Sequence, residues 1–244
     1  MGENSKISWT DHTFNPWIGC TNVSPGCDNC YAEALAKRTS MAKWGHGEPR
    51  RRTSAENWRK PLTWDRKARE AGERHRVFCA SMADVFDTEV PDAWRYDLIG
   101  LIDATPNLDW LLLTKRPEPM RNYMTGLRLR SNIRLGVTIE NAAAVPIRMP
   151  ALYDVKARGW PTFVSYEPAI ESVNFEPFMP AIDWLICGAE SGPKRRPFDE
   201  DWARSARDAC IKAGVPFFYK QKIDGGRKIE LPELDGKVWD EVPA

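Results

Sequence analysis

Three cysteines stand close together near the beginning of this 244-residue chain. Cys20, Cys27 and Cys30 fall within eleven residues. Three thiolates suit zinc or an iron–sulfur cluster, but a structural zinc site normally has four protein ligands. No fourth ligand follows at zinc-finger spacing, since the nearest candidates are His46 and, far off, Cys79. Three thiolates with one open metal position describe a 4Fe-4S cluster that has one iron free to bind another group.

Short apolar runs alternate with helical stretches along the chain, which indicates βα units and a parallel sheet. The predicted strands cover residues 13–18, 76–80, 109–113, 133–138, 162–165, 184–187 and 216–220. The predicted helices cover residues 31–43, 55–71, 93–104, 117–123, 141–157 and 200–213. No glycine-rich dinucleotide fingerprint follows any strand. We therefore expect an α/β fold, a partial or full parallel (β/α) barrel of about six to seven strands, forming one domain over residues 1–244.

Polar side chains follow nearly every predicted strand at its carboxyl end. In barrels this rim is built from the βα loops, and active sites assemble there. Polar residues can also simply cap strands and begin helices, because loops are polar by default. Their coincidence on so many strands favours a shared site. The rim candidates are Ser81, Asp84, Lys115, Arg116, Glu140, Asn141, Glu167, Glu190, Ser191 and Lys220.

The cysteine loop and a series of further motifs resemble the phage-associated three-cysteine-motif proteins. That family is carried as a domain of unknown function and is of the radical S-adenosylmethionine (SAM) type. The cysteine loop departs from the common radical SAM loop, which is shorter between its first two cysteines, whereas six residues separate Cys20 from Cys27. The other shared motifs are Trp9-Thr10-Asp11, Phe14-Asn15-Pro16-Trp17, Ser81-Met82-Ala83-Asp84-Val85-Phe86, Leu113-Thr114-Lys115-Arg116-Pro117, Gly136-Val137-Thr138-Ile139-Glu140-Asn141, Ser165-Tyr166-Glu167-Pro168, Ala189-Glu190-Ser191-Gly192 and Pro216-Phe217-Phe218-Tyr219-Lys220-Gln221.

This resemblance implies a radical SAM enzyme built on a barrel of that type. In related enzymes three cysteines hold a 4Fe-4S cluster, S-adenosylmethionine chelates the free iron, and one electron from an external reductant releases a 5′-deoxyadenosyl radical. Cys20, Cys27 and Cys30 would be the metal ligands. Tyr31 would lie beside the adenine, unless it only packs on the loop at a helix start. The rim acids would bind the sugar hydroxyls and ammonium of S-adenosylmethionine, and the rim bases its carboxylate or a substrate phosphate.

Two residues are candidates for a direct catalytic role. Lys115 could hold a carboxylate or phosphate close to the cluster. Cys187 ends a predicted strand where related sequences commonly have glycine, and its thiol could donate a hydrogen atom to a substrate radical. Core packing is the alternative for Cys187, and we favour it. Cys79 and Cys210 are expected to be small buried hydrophobes.

A basic helical insertion is expected at residues 45–75. From Arg50 to Arg76 the chain carries ten Lys or Arg against four Asp or Glu, with two tryptophans among them. Clustered cations with aromatic residues are typical of nucleic-acid contacts, and we expect Arg50, Arg51 and Arg52 to make them. A solvated helix that turns its tryptophans to the core is the alternative, and we prefer it slightly.

The composition narrows the classes of function. The formal net charge of +1 argues against a general polyanion binder but permits a local basic face. No apolar run is long enough for a membrane span, and the six cysteines are too few for a disulfide scaffold, so we expect a cytoplasmic protein. We predict a radical SAM enzyme that modifies or repairs a nucleobase, nucleotide or nucleic acid, and leave room for a partner protein. A non-enzymatic metal-binding or nucleic-acid-binding protein is the alternative.

Overall fold

The structure is a computed structural model that describes residue 3, residues 5–192 and residues 194–243. In chain order the strands are β1 (His12–Thr13), β2 (Trp17–Ile18), β3 (Arg51–Arg52), β4 (His75–Cys79), β5 (Leu108–Thr114), β6 (Ile133–Thr138), β7 (Thr162–Tyr166), β8 (Leu185–Gly188), β9 (Phe217–Asp224), β10 (Arg227–Glu230), β11 (Glu233–Leu234) and β12 (Lys237–Val238). The helices are α1 (Tyr31–Thr39), α2 (Ala55–Ala71), α3 (Asp92–Asp103), α4 (Pro117–Thr125), α5 (Val145–Ala157) and α6 (Glu200–Ala213). Short 3-10 turns cover Pro25–Cys27, Ala142–Ala144 and Glu176–Ala181.

The centre of the fold is an eight-stranded sheet in the order β1-β4-β5-β6-β7-β8-β9-β10. The pairs from β1 to β9 are all parallel, and β10 returns antiparallel to β9. The two edges, β1 and β10, do not pair with each other, so the barrel is open on one side. The predicted α/β fold, a partial parallel barrel, is confirmed, although the hairpin that adds β10 was not predicted.

The predicted strand at residues 13–18 is wrong as one element. Its first part is β1, which pairs with β4, whereas β2 pairs with β3 in a separate two-stranded ribbon. Pro16 lies between the two pieces, and proline cannot donate the backbone hydrogen bond that a continuous strand would need there. The break directs the chain after β2 into the cysteine loop.

Aromatic and aliphatic side chains from the inner face of the sheet, and from the residues that lead into β1 and β8, fill one end of the barrel. These side chains are Trp9, Phe78, Leu111, Phe163, Trp184, Ile186 and Phe218, and all are buried. Gly136 makes this packing possible, because a Cβ there would stand only 2.2 Å from the ring of Phe163. The barrel is therefore closed below by a packed aromatic floor and can hold a ligand only toward the carboxyl ends of its strands.

The outer face of the sheet packs against the helices and forms the larger core. Strand residues alternate between the two sides, as the two-residue period of a strand requires. In β9, Phe217 and Tyr219 belong to the helix-side core, while Phe218 belongs to the floor and Lys220 lines the interior. No helix among the described residues is long and apolar enough to cross a bilayer.

Candidate active site

The three cysteines of the predicted metal site line one cavity of about 170 Å³. The cysteine loop, residues 19–31, begins after β2 and contains the 3-10 turn Pro25–Cys27. Cys30 then precedes α1, and its backbone N–H donates to the carbonyl of Cys27 at 3.2 Å. All three side chains are half-buried, and none forms a disulfide. The loop thus presents three free thiols to a single space.

The three thiols are the ligand type that a 4Fe-4S cluster takes. Among the described residues, no group of three or more His, Cys, Asp and Glu side chains is already arranged around one point as a single-ion site would be. Burial, and then the Asp84 carboxylate, raise the pKa of Cys20 to about 11, and burial also raises the pKa of Cys30. A bound metal centre would supply the positive charge that thiolates at these positions need.

Seven of the predicted site residues, six from the rim together with Tyr31, line the same cavity as the cysteines. Thr138 and Ser165, which were not predicted as site residues, also line it, and they face each other across β6 and β7. The signal that could have found them is the strand alternation, which places both on the inner face two residues before a rim acid. The seven predicted residues that the structure brings together are Tyr31, Ser81, Asp84, Lys115, Arg116, Glu167 and Lys220.

Lys115 stands apart from the other cations of the cavity. Arg116 is paired with Asp84 at 2.9 Å, and Lys220 with Glu167 at 2.7 Å. Lys115 makes no salt bridge within the part of the chain that the structure describes. Its ammonium is therefore available to an anionic group of a ligand in the cavity.

Glu167 sits where a glycine leaves room for it. A Cβ on Gly188 would approach Glu167 Oε1 to 2.9 Å, so any larger residue at that position would push the carboxylate aside. The other carboxylate oxygen lies 3.4 Å from the Ser165 hydroxyl, which donates to it. Together with Lys220, these groups form a polar shelf above the aromatic floor.

Glu140 and Glu190 do not line the cavity, contrary to our expectation. Both side chains instead contact the cysteine loop, Glu140 at Gly26 and Glu190 at Asn29. Glu140 is fully buried and paired with Arg148, and a Cβ on Gly26 of the loop would touch its side chain at 3.1 Å. Although burial opposes ionisation, hydrogen bonds from Arg148 keep the pKa of Glu140 below its ordinary value. The buried Glu140 side chain thus lies directly against Gly26 of the cysteine loop.

Glu190 anchors the end of the same loop. Its carboxylate accepts a hydrogen bond from Asn29 Nδ2 at 3.1 Å and three from Arg196: from the backbone N–H at 2.8 Å, from Nε at 3.0 Å, and from Nη2. Burial opposes ionisation here too, yet the Arg196 hydrogen bonds lower the pKa of Glu190.

Two other predicted site residues also make local contacts. The Asn141 side chain accepts a hydrogen bond from the Ala144 N–H and so caps the turn that follows it, and the Ser191 hydroxyl accepts one from the Gln221 side chain. The structure gives these four predicted residues local structural contacts outside the cavity.

Cys187 does not face the barrel mouth. It lies at the end of β8 with its side chain fully buried in the helix-side core, together with Cys210. The alternation of the strand explains the difference, because Ile186 belongs to the inner floor and Cys187 must then point outward. Burial raises the pKa of Cys187 well above its ordinary value. The position of Cys187 therefore supports core packing, the alternative we favoured, over a role as hydrogen-atom donor.

Arg50 is not available to a nucleic acid. Its side chain is fully buried and donates to Asp87 at 2.8 Å and to the Thr21 hydroxyl at 2.6 Å. Arg51 and Arg52 instead line a separate groove of about 630 Å³ with Lys60. Arg52 pairs with an aspartate and stacks over the ring of Trp58 at 4.2 Å. Of the predicted contacts, Arg51 is exposed and Arg52 half-buried.

A larger cavity of about 690 Å³ lies at the open side of the barrel. It is lined by Thr13 of one sheet edge and by Lys228 of the other. Its wall residues Ile7, Tyr31, Ser81 and Lys220 are shared with the cysteine cavity, and Lys6 also lines it. We call this space the lateral cavity. Sequence analysis missed it, because only the unpredicted β9–β10 hairpin closes its far wall.

Comparison with solved structures shows which known proteins share this fold. Structures of spore photoproduct lyase match it. The structure with bound AdoMet and dinucleoside spore photoproduct has a TM-score of 0.56 at 14% identity, covering 93% of this chain and 68% of that one. The structure with the dinucleoside photoproduct alone gives the same score and coverage at 15% identity.

A protein-family model also matches this sequence. The chain belongs to the family described as protein of unknown function (DUF5131), whose model matches residues 4–243. No curated protein matches the sequence of this chain.

Proposed function

We propose that this protein is a radical SAM enzyme in which Cys20, Cys27 and Cys30 hold a 4Fe-4S cluster. One observation carries the proposal: three free thiols from a loop after the first strands and polar side chains from the ends of successive parallel strands line one cavity. When bound, the cluster would supply one electron to S-adenosylmethionine and so release a 5′-deoxyadenosyl radical. The similarity to spore photoproduct lyase supports the fold on which this chemistry would run.

The residues of the cavity suggest how S-adenosylmethionine would be held. Lys115, which makes no salt bridge to any described residue, would bind the carboxylate of its methionine part. Tyr31 lines both cavities, and its hydroxyl donates to the carbonyl of Ser81 at 3.0 Å, which fixes the ring as a wall for the adenine. The shelf of Glu167 and Lys220 offers an acceptor and a donor to the ribose hydroxyls.

The floor of the barrel would protect a radical. Phe78 and Leu113 line the cavity and lie in or against the buried aromatic cluster below it. Apolar walls exclude water, which limits side reactions of a reactive intermediate. A reacting group of the substrate would therefore have to enter from the open side.

The lateral cavity is the proposed entrance for a nucleotide or nucleic-acid substrate. It shares four wall residues with the cysteine cavity and carries Lys6 and Lys228 at its margin. Lysines can neutralise phosphates at such an entrance. The dinucleoside bound by the structurally similar lyase supports this class of substrate.

Lys6→Gln should weaken binding of single-stranded DNA at low salt. No measurable DNA binding by the unaltered protein would contradict the nucleic-acid part and leave a mononucleotide.

Anaerobic reconstitution with iron and sulfide tests the enzyme assignment. The unaltered protein should bind about four irons, and with a reductant and S-adenosylmethionine it should form 5′-deoxyadenosine. Cys27→Ala should lose the cluster, whereas the control Cys210→Ala, which removes a buried thiol outside the cavity, should keep it. One colourless zinc per chain would instead support a metal module without this chemistry.

A further inference from the structure

One arginine of the rim contacts a cysteine sulfur directly. Arg116 Nη1 donates to Cys20 Sγ at 3.5 Å, and its other terminal nitrogen donates to the Thr21 carbonyl at 2.9 Å. The Arg116 side chain is only 10% exposed. A guanidinium keeps its charge at any ordinary pH, so both contacts carry a fixed positive charge.

The arginine is held rigidly in this position. Arg116 Nη1 also donates to Asp84 at 2.9 Å, and the Asp84 carboxylate in turn accepts from the Thr114 hydroxyl at 2.7 Å and the Lys115 N–H at 3.0 Å. The second aspartate nearby, Asp87, lies 3.8 Å from Arg116. These contacts fix the guanidinium beside the Cys20 sulfur. Hydrogen-bonding groups around a metal ligand commonly orient it in this way.

A second arginine holds the same segment without reaching the sulfur. Arg50 donates to the Thr21 side chain at 2.6 Å and pairs with Asp87 at 2.8 Å. Thr21 therefore accepts hydrogen bonds from both arginines, from Arg116 at its carbonyl and from Arg50 at its hydroxyl. Loss of either arginine loosens the loop, but of the two only Arg116 is seen to donate to Cys20 in the described part of the chain, so only its loss removes that hydrogen bond.

We propose that Arg116 sets the reduction potential of the cluster by donating a charged hydrogen bond to the Cys20 thiolate. This inference rests on the proposed function. Hydrogen bonds and positive charge at a ligand sulfur stabilise the reduced, more negative state of an iron–sulfur cluster, and so raise its potential. Arg116 therefore acts on the cluster through its ligand and is a positioning residue, distinct from the cavity cation Lys115.

The midpoint potential of the reconstituted protein, followed by electron paramagnetic resonance during a redox titration, tests this role. Arg116→Gln removes the charge and should make one-electron reduction at least tenfold less favourable, a shift of about 59 mV to more negative potential. Arg116→Lys keeps a charge that can still pair with Asp84, and should give a smaller shift in the same direction. The control Arg50→Lys weakens the hold on Thr21 and the pair with Asp87 but leaves the Arg116 hydrogen bond to Cys20 in place, and it should leave the potential at the unaltered value.

The outcomes separate this inference from the proposed function. An unaltered protein that binds no four-iron cluster defeats the proposed function itself. An unchanged potential in Arg116→Gln overturns the inference alone, and so does an equal shift in Arg50→Lys, because loop position would then explain it. If both Arg116 variants bind no iron while Arg50→Lys binds it normally, Arg116 serves cluster assembly and the tuning role is overturned.

Discussion

Replacing Glu140 with glutamine should destabilise the protein and loosen the cysteine loop. The Glu140 side chain is 0% and the Arg148 side chain 4% exposed, so the change leaves a buried, uncompensated guanidinium. Breaking such a pair costs about 3–5 kcal/mol. For a chain of this size each kcal/mol lowers the melting temperature by about 2–4 °C, which gives a fall of about 6–20 °C.

The effect should depend on pH with a known sign. The pKa of Glu140 is lowered from its ordinary value of 4.5 in the folded chain, so folding favours the carboxylate. The stabilisation is complete above about pH 4.5 and is lost as the pH falls through the folded pKa. Glu140→Gln should therefore differ most from the unaltered protein near neutral pH, and the difference should shrink in acid.

Thermal unfolding of the metal-free, reduced protein by circular dichroism measures this prediction. The control Glu118→Gln removes an exposed partner of Arg121 and should change stability by less than about 1 kcal/mol. Adding Arg148→Met to Glu140→Gln removes the stranded charge and should recover most of the loss. Equal melting temperatures for Glu140→Gln and Glu118→Gln would refute the idea that a buried ion pair supports the loop.

Three further changes probe other parts of the account. Gly136→Ala would overpack the floor against Phe163 and should cost about 1–3 kcal/mol in urea unfolding; wild-type stability would mean that the floor is not filled as described. Cys187→Ala should leave 5′-deoxyadenosine formation unchanged because the thiol faces the helices, and its loss in a stable variant would restore a role in the chemistry. Arg51→Gln should reduce the salt slope of DNA binding by about one, whereas Arg66→Gln, on the exposed side of α2, should not; equal effects would remove the groove as a specific contact.

The sequence was most informative where a local pattern decides the structure. Strand period and polar strand ends predicted the parallel partial barrel, and six of the predicted rim residues line one cavity. The three cysteines could be placed in that cavity because they are close in sequence and follow the first strands. Each of these inferences needs only neighbouring residues and the geometry of a parallel sheet.

The features of the site that the sequence did not predict depend on contacts between residues far apart in the chain. Nothing local shows that Arg50 is buried against Asp87, 37 residues later, or that Glu190 reaches back to Asn29 in the cysteine loop. A carboxylate that binds a ligand and one that anchors a loop have the same sequence signature at a strand end. The orientation of Cys187 depends on the register of its strand, because a shift of one position moves a side chain to the opposite face of the sheet.

Electron paramagnetic resonance of the reduced, reconstituted protein, with and without S-adenosylmethionine, is the most direct test of the central claim. If Cys20, Cys27 and Cys30 hold a cluster with one iron open to the cavity, saturating S-adenosylmethionine should change the spectrum, because that iron gains nitrogen and oxygen ligands. Lys115→Gln should require more S-adenosylmethionine for the same change. A cluster whose spectrum is identical at every concentration of S-adenosylmethionine would contradict the claim that this cavity binds it.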